Sequence, residues 1–453
     1  MQSKENLSFI IDYLGCKVNS YEVSCVGEDL ISHGYHEFNS KTDKRPDVIV
    51  INTCSVTEKS DAKDRKLIKQ YRKKYKKAIL VVMGCYTQKN YDLVAYELDA
   101  DIVLGTSLRS KIFEYIQKFK ETKEKIIVNE INNNIKQYEN IKLDKYLDRT
   151  RAYVKIQDGC DNYCTYCLIP YIRGRSRSRK KEEIFEEIRS LIDNGYKEIV
   201  LTGIDMGSYG LDIYKNYNIS SLLEDILKNN KDLYRLRISS IEESQIDDKF
   251  ISLFKEYKNL ASHLHIPLQS GSEFILKKMN RKYDLNNFKE KVKKIRSVRK
   301  NISITTDIIV GFPFETDEEF EKTLQFAKTI KFSKIHCFPY SKREGTIAAK
   351  LPEQVSDIDK KIRVAKLIAL SDKLEYEYAL KFNNKEMEFL VENYDKTTKS
   401  YRAHSSNYLE YYIKSDENIS GQIIKTKFIL NSEEKAISIK NKIKSRIKSE
   451  EKK

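Results

Sequence analysis

The sequence predicts an α/β protein, because short apolar segments alternate with helical segments along most of its 453 residues. Three segments near the N-terminus, 8–14, 47–51 and 78–83, are rich in β-branched residues and lack polar alternation. This pattern is typical of strands buried in a parallel sheet. Helical segments lie between them, so the order predicts a doubly wound parallel sheet domain over residues 1–140.

A cysteine follows each of these three strands: Cys16, Cys54 and Cys85, here called the first triad. Ligands of doubly wound sheets bind beyond the carboxyl ends of the strands, so we expect these thiols to converge. Three thiolates are one fewer than a closed structural zinc site requires, which indicates an iron–sulfur cluster with one open iron. The alternative is three small buried hydrophobic side chains. Cys25 and Cys337 lack the pattern and are expected to be structural.

A second set of cysteines lies within segment 157–170, where Cys160, Cys164 and Cys167 have the spacing C-x3-C-x2-C. We call them the second triad. Thiolates are soft ligands that select iron–sulfur clusters, zinc or copper(I). No Cys or His follows before His263, so a four-ligand zinc site is incomplete, whereas a 4Fe–4S cluster on three cysteines keeps one iron open. A zinc knuckle and a ferredoxin-like carrier lacking its fourth cysteine are the alternatives.

Strands and helices alternate again from Arg151 onward. Six strand–helix units predict a partial, open (β/α)6 barrel over residues 146–380, joined to the first domain by a polar linker at 121–148. In such barrels the chemistry occurs at the carboxyl ends of the strands. The second triad follows the first of these strands. The strand candidates are 152–157, 198–201, 236–239, 263–268, 302–310 and 334–338.

The second triad, with the aromatic Tyr166 before its last cysteine, matches the signature of radical S-adenosylmethionine (SAM) enzymes. Segments 14–19, 52–56 and 84–88 resemble the N-terminal domain of the methylthiotransferases, a radical SAM family with two 4Fe–4S clusters. The resemblance implies that the cluster on the second triad binds SAM and cleaves it to a 5′-deoxyadenosyl radical. It also implies that the first triad holds an auxiliary cluster involved in sulfur delivery. All six cysteines are then expected to be catalytic.

Polar residues and glycines lie at the predicted carboxyl ends of the barrel strands. A helix cap or a turn is the alternative role for each polar residue. The chain departs from the family at two points, with Thr202-Gly203-Ile204 where Gly-Gly-Glu is frequent and Phe314 where Gly is usual. By resemblance to the family, the residues expected to contact SAM are Tyr166, Thr202, Gly203, Ser239, Glu242, Gln269 and Gly311.

The net charge of +16 indicates a polyanionic partner, most simply a nucleic acid. A Lys-rich composition without a binding role is the alternative. Four arginines follow the second triad at alternate positions and are expected to hold RNA phosphates, with a solvated charged surface as the alternative. They are Arg173, Arg175, Arg177 and Arg179.

The C-terminal region, 384–447, lies where the family carries a TRAM domain, a small RNA-binding β-barrel. Tyr394, Tyr401 and Tyr408 are candidates to stack on bases, and Arg402 to hold a phosphate. A packing domain with core tyrosines is the alternative. The Lys-rich tail, 432–453, is expected to be a nonspecific RNA contact or disordered.

Segments 14–22 and 203–210 most resemble the branch of the family that acts on N6-threonylcarbamoyladenosine in tRNA. The resemblance implies methylthiolation of C2 of this base beside the anticodon, giving its 2-methylthio derivative. It also implies tRNA, SAM, a sulfur source and a flavodoxin- or ferredoxin-type electron donor as partners. Isopentenyladenosine in tRNA or a ribosomal-protein aspartate is the alternative substrate. A noncatalytic zinc- and RNA-binding protein is the alternative from another class.

A cytoplasmic location without a membrane partner is expected. Residues 1–6 are polar and lack a signal-peptide core, and no apolar run reaches transmembrane length. Eight cysteines in a reducing compartment indicate metal ligands or catalytic groups rather than disulfides.

Overall fold

The computed structural model of the protein describes residues 7–128, 130, 137–145 and 150–430. These residues pack into two compact units. The first unit contains the described residues up to Leu260, with Lys277–Lys282 and Ser341–Pro352. The second contains Ala261–Leu276, Tyr283–Tyr340 and the described residues from Glu353 onward. Within these ranges no helix is both long enough and apolar enough to cross a lipid bilayer.

The N-terminal part of the first unit alternates strands and helices. They are β1 (Ser8–Tyr13), α1 (Lys17–Ser32), β2 (His36–Glu37), β3 (Val48–Thr53), α2 (Glu58–Lys74), β4 (Ile79–Gly84), α3 (Cys85–Lys89), β5 (Ile102–Leu104), α4 (Ile112–Thr122) and β6 (Ile126–Val128). All six strands are parallel and lie in the order β2-β1-β3-β4-β5-β6. The predicted doubly wound sheet is confirmed, and its strand order reverses between β1 and β3.

Strand β3 is buried on both faces, because helices cover both sides of the sheet. Val48 and Val50 belong to one core cluster, with side chains of α1 and α4. Ile49 and Ile51 belong to a second cluster, with Ile68 of α2. Burying one such side chain contributes about 1.5–3 kcal/mol, which explains why the strand has an unbroken apolar sequence.

The remainder of the first unit contains a three-stranded parallel sheet. Its elements are β7 (Arg151–Lys155), β8 (Gln157–Asp158), α5 (Ile169–Arg173), β9 (Arg177–Ser178), α6 (Lys181–Asp193), β10 (Glu198–Thr202), α7 (Ile219–Asn229), β11 (Arg235–Ile238) and α8 (Asp248–Glu256). Strand β10 lies between β7 and β11 in the sheet, and β8 pairs with β9 in a short antiparallel ribbon.

A second three-stranded parallel sheet follows along the chain. The elements are β12 (His263–His265), α9 (Glu273–Lys278), α10 (Leu285–Val298), β13 (Ser303–Val310), α11 (Asp317–Ile330), β14 (Lys334–Pro339) and α12 (Asp357–Leu380). Strand β13 pairs with both β12 and β14 within the second unit. The predicted succession of six parallel strands is therefore present as two sheets of three.

The last described elements form a small antiparallel sheet in the order β17-β16-β15-β18. They are β15 (Glu386–Asp395), β16 (Ser400–Ser405), β17 (Glu410–Ile413) and β18 (Ile423–Lys427). Phe389 and Val391 of this sheet pack with Tyr378 and Ala379 at the end of α12. The predicted small β-domain is thus an antiparallel four-stranded sheet.

Four strands lie where the sequence indicated none: β2, β6, β9 and β16. Strand β6 falls within the predicted linker, and β16 falls between two strand-like segments. The linker prediction is therefore wrong at Ile126–Val128, which pairs in parallel with β5. Residues 129, 131–136 and 146–148 of that linker, and the Lys-rich tail at 432–453, lie outside the described residues.

Candidate active site: two cysteine triads

The first triad lies beyond the carboxyl ends of three neighbouring strands. Cys16 precedes α1, Cys54 follows β3, and Cys85 begins α3. Gly15 has a φ of +105°, and a Cβ at this position would lie 2.7 Å from the Cys54 Sγ. The backbone before Cys16 therefore lies directly against Cys54, and only glycine fits such an approach without strain.

Two thiols of this triad are buried and one is exposed. Burial, together with the neighbouring Cys85 thiol, raises the pKa of Cys54 to about 12. Burial also raises the pKa of Cys85, although the nearby Arg173 guanidinium opposes this effect. Cysteines bind metal as thiolates, so metal binding at this triad releases protons.

The second triad lies in the loop between β8 and α5, and the loop curls around its own sulfur atoms. The Cys167 amide donates to the Cys164 carbonyl at 3.0 Å, and the Asn162 amide donates to the Cys160 Sγ at 3.5 Å. Burial raises the pKa of Cys160, and it raises that of Cys167 to about 12. The Arg281 Nη1 donates to the Cys164 Sγ at 3.3 Å, which places a positive charge at this triad.

The two triads lie on elements that touch each other within the first unit. Helix α3, which begins at Cys85, packs against α5, which follows Cys167. Cys85 itself packs with Leu168 and Ile172. The Arg173 Nε donates to the Cys85 Sγ at 3.2 Å. The fold thus brings together two groups of cysteines that are far apart in the sequence.

The donor set of each triad favours an iron–sulfur cluster over a single zinc ion. Tetrahedral zinc with bonds of about 2.3 Å to sulfur requires sulfur atoms about 3.8 Å apart. Among the residues that the structure describes, no three cysteine sulfurs all lie within 4.8 Å of one another. Neither triad therefore holds its three sulfurs as close together as a single ion requires, and three soft thiolate donors are the ligand set of a 4Fe–4S cluster with one open iron.

A buried network of charges surrounds Arg173. Its Nη1 donates to the Glu22 Oε1 at 2.8 Å and to the Asp158 Oδ1 at 3.0 Å. The Lys155 Nζ bridges the same two carboxylates at 2.7 and 2.6 Å, and Arg109 lies 3.1 Å from Glu22. Burial alone would raise the pKa of Glu22, but Arg109, Arg173 and Lys155 hold it well below its usual range. The network joins α1, β7 and α5 next to the first triad.

The four arginines after the second triad have different environments. Arg173, Arg177 and Arg179 are buried, and their guanidinium groups bond to carboxylates or carbonyls inside the protein. The prediction that these three hold RNA phosphates is therefore wrong. The side chain of Arg175 is 80% exposed, and its Nε lies 3.2 Å from Asp161, so this arginine remains accessible to a phosphate.

Two family models match the sequence. The Radical SAM superfamily matches residues 154–327, and the Uncharacterized protein family UPF0004 matches residues 8–105, which contain the first triad. The chain is 41% identical, over 92% of each protein, to the threonylcarbamoyladenosine tRNA methylthiotransferase MtaB of Bacillus subtilis (strain 168). The chain belongs to the radical SAM methylthiotransferase family. This membership contradicts the noncatalytic alternative and implies that the enzyme uses SAM and a 4Fe–4S cluster.

Two further relatives support the family assignment. An MtaB of the same name from Thermotoga maritima is 37% identical over 90% of each chain. The tRNA-2-methylthio-N(6)-dimethylallyladenosine synthase of Thermoanaerobacter sp. (strain X514) is 33% identical over 93% of this chain and 90% of that protein. The radical SAM methyltransferase TsrM from Kitasatospora setae shares the fold, with a TM-score of 0.55, 13% identity and coverage of 74% of this chain and 75% of that chain.

Three of the predicted SAM contacts of the methylthiotransferase lie together in the first unit. The Ser239 Oγ is 3.5 Å from the Thr202 Oγ1, at the carboxyl ends of neighbouring strands. Gly203 follows directly, and a Cβ there would lie 3.2 Å from the Gln157 carbonyl oxygen. This position therefore favours a residue without a side chain.

Two further predicted contacts adjoin the second triad. Glu242 forms an ion pair with Arg281, the same arginine that bonds to the Cys164 sulfur. Tyr166 is half-buried within the loop, and burial raises its pKa well above the usual value. The structure thus connects Glu242 to the Cys164 sulfur through one guanidinium group.

A polar network that the sequence did not reveal adjoins the second triad. The Gln157 Oε1 accepts hydrogen bonds from the amides of Ile204 and Asp205 at 3.1 and 2.7 Å. The Asp205 carboxylate accepts from the Gln245 Nε2 at 2.7 Å and lies 3.8 Å from the Cys160 Sγ. Gln157 and Asp205 are next to motifs that the sequence revealed. Arg281 lies in no motif, and only the fold places it at Cys164.

The remaining predicted SAM residues lie in the second unit. Gln269 has a φ of +62°, and its amide donates to the Asp307 carbonyl at 2.8 Å. Gly311 has a φ of +73°, and its amide donates to the Glu315 Oε1 at 2.7 Å. Phe314 also has a positive φ, +69°, so the turn after β13 requires the conformation that glycine supplies in other family members.

The predicted RNA-binding residues of the C-terminal sheet differ in accessibility. Tyr394 is 47% exposed, whereas Tyr401 is buried, and Tyr408 is half-buried. The Arg402 Nε donates to the Glu410 Oε2 at 2.7 Å, and the Arg402 side chain is half exposed. The base-stacking prediction is therefore wrong for Tyr401, which is part of the core of this sheet.

Proposed function

We propose that this methylthiotransferase acts on tRNA and adds a methylthio group to C2 of N6-threonylcarbamoyladenosine beside the anticodon. The product is 2-methylthio-N6-threonylcarbamoyladenosine. The observation that carries the proposal is the 41% identity, over 92% of both proteins, to a relative named for this base. Relatives named for dimethylallyladenosine are less similar, with 33% identity for the one from Thermoanaerobacter sp. (strain X514).

We assign the SAM-binding 4Fe–4S cluster to the second triad and an auxiliary 4Fe–4S cluster to the first. The donor set supports this assignment, because each site offers three soft thiolates at a spacing too wide for one ion. When bound, the cluster and SAM supply the radical chemistry that an unactivated aromatic C–H bond requires.

The protein's own residues orient and hold these groups. Arg281 and Arg173 each donate to one cysteine sulfur, in the second and first triads respectively. Hydrogen bonds from such neighbours tune an iron–sulfur site. Residues of the strand ends and of the second-triad loop provide the polar and backbone contacts to SAM: Tyr166, Thr202, Gly203, Ser239, Glu242, Gln269 and Gly311.

We propose that tRNA contacts come from exposed groups rather than from the buried arginines. Arg175 next to the second triad is accessible to phosphate, and Arg402 and Tyr394 are accessible on the C-terminal sheet. A domain over 384–447 would then serve as the TRAM-like RNA-binding module. It follows, along the sequence, domains at 1–140 and 146–380. A sulfur source and a flavodoxin- or ferredoxin-type electron donor complete the set of partners.

The substrate is tested by mass spectrometry of tRNA nucleosides from a strain that lacks the gene. We expect 2-methylthio-N6-threonylcarbamoyladenosine to disappear and its unmodified precursor to accumulate. The wild-type gene and a Cys337→Ala control should restore the product, whereas Cys164→Ala should not. Unchanged product in the deletion strain overturns the proposal. A loss confined to 2-methylthio-isopentenyladenosine, or to a methylthiolated ribosomal-protein aspartate, would assign the alternative substrate.

A further inference from the structure

Two histidines and an aspartate form a cluster on the parallel sheet of the second unit. His265 ends β12, Asp307 lies on β13 and His336 lies on β14. The strand register places Asp307 opposite His336, and His265 opposite Thr305. One ligand atom from each of the three side chains lies within 4.8 Å of the other two. No cysteine takes part in this cluster.

The three side chains are arranged so that their donor atoms converge. The His265 Nε2 lies 3.3 Å from the Asp307 Oδ2, and the His265 and His336 rings have centroids 5.7 Å apart. The His265 side chain is 12% exposed and that of Asp307 is 31% exposed, while His336 is exposed. The cluster is therefore fixed by the sheet on one side and open to an entering ion on the other.

A hydrogen-bonded neighbour orients the most buried of the three residues. The His265 Nδ1 lies 3.0 Å from the Thr305 Oγ1, which also lies 3.0 Å from the His263 Nε2. Since a hydroxyl donates only one hydrogen, Thr305 can donate to one histidine and accept from the other. With His265 as the donor, its Nε2 presents a lone pair toward Asp307. Metal-binding histidines typically have this arrangement, with the second ring nitrogen bonded to a partner.

We propose that His265, Asp307 and His336 bind a divalent first-row transition ion. Two imidazoles and one carboxylate are the donor set of open zinc sites and of non-haem iron(II) sites. Such an ion would neutralise the Asp307 charge between the two imidazoles. It would also retain at least one free coordination position, which an oxygen donor such as water or a carboxylate can occupy. The site belongs to this chain's second unit and uses none of the six triad cysteines.

The proposal is tested with the cluster-loaded enzyme and Zn²⁺ as the probe. The enzyme is treated with a chelator, equilibrated with Zn²⁺ and dialysed, and zinc and iron per chain are measured by mass spectrometry. We expect about one zinc per wild-type chain, and a loss of affinity of more than about tenfold in His336→Ala and Asp307→Asn. His33→Ala, which removes an exposed histidine from the first unit, is the matched control and should bind zinc normally.

The zinc X-ray absorption edge identifies the ligands. We expect scattering from imidazole and oxygen without sulfur, because sulfur scattering would place the zinc at the cysteines and overturn the proposal. Equal zinc content in wild type and His336→Ala would also overturn it. The iron content of each variant reports whether it is folded. Because the His336 side chain is exposed, His336→Ala remains decisive even if Asp307→Asn does not fold.

Discussion

Arg173 carries its charge inside the protein, where its guanidinium group bonds to two carboxylates and to one cysteine sulfur. Its Nε bonds to the Cys85 Sγ at 3.2 Å, and its Nη1 bonds to Glu22 and Asp158. A hydrogen bond from a cation stabilises the more negative, reduced state of a thiolate-bound cluster. Arg173 is therefore expected to raise the reduction potential of a cluster on the first triad.

We predict that Arg173→Lys lowers this potential by on the order of tens of millivolts. Lysine keeps the charge but cannot reproduce the fork of donors. A hydrogen bond to a charged group is worth about 1.5–3 kcal/mol, and about 1.4 kcal/mol corresponds to 59 mV for one electron. A redox titration followed by electron paramagnetic resonance, with the second triad replaced by alanine, isolates the signal. Arg175→Lys is the control, and an equal shift in that variant would contradict the prediction.

Sequence alone was sufficient to predict where the six cysteines lie in the fold, but not which residues surround them. Cys16, Cys54 and Cys85 are recognisable because each follows an apolar strand segment, which is a local pattern. Arg281 lies in no motif and reaches Cys164 only through the fold. The phosphate-binding prediction was wrong for Arg173, Arg177 and Arg179. Alternate arginines have the same sequence pattern whether they face solvent or, as Arg173 does, buried carboxylates.

Among the structural elements, the turn between β13 and α11 has a residue that conflicts with its backbone. Phe314 has a φ of +69°, a left-handed conformation that costs a residue with a side chain roughly 1–2 kcal/mol. The ring makes an edge contact with Phe274, with centroids 6.5 Å apart. The turn therefore combines backbone strain with an aromatic contact.

We predict that Phe314→Gly is more stable than Phe314→Ala by about 1 kcal/mol. Both variants lose the ring and its contact with Phe274, so the comparison isolates the backbone. Glycine alone adopts the positive φ without a steric cost. Thermal unfolding of the two purified variants under identical conditions gives the difference. An alanine variant that unfolds at the same or a higher temperature would contradict the prediction.

Two of the strands that the sequence did not indicate, β6 and β16, form because of pairing with distant parts of the chain. Strand β6 has three residues, Ile126–Val128, which follow a charged segment and pair with β5. Strand β16 alternates with polar residues, and its Tyr401 and Ala403 are buried against other strands of its sheet. In both cases long-range pairing forms the strand, and intrinsic propensity contributes little. Longer apolar strands such as β3 and β13 were predictable from their own composition.

At the scale of the whole molecule, the two triads occupy a single compact unit although a long stretch of sequence separates them. The buried charges of Glu22, Lys155 and Arg173 join the N-terminal sheet to the strand that precedes the second triad. Removing one partner of such a network leaves a buried charge unpaired, at a cost of about 3–5 kcal/mol. The relative position of the triads is thus maintained by electrostatics as well as by the contact of Cys85 with Leu168.

This arrangement predicts two independent iron–sulfur sites, which iron counting can separate. Replacing either complete triad by alanine should halve the iron bound after anaerobic reconstitution, from about eight to about four per chain, because each 4Fe–4S cluster contributes four. Cys25→Ala and Cys337→Ala are matched controls and should keep all the iron, since these cysteines belong to neither triad. A radical enzyme with a cluster on the second triad alone would instead keep all its iron without the first triad and lose all of it without the second. That result would contradict the auxiliary cluster proposed for the first triad but not the SAM-binding cluster proposed for the second.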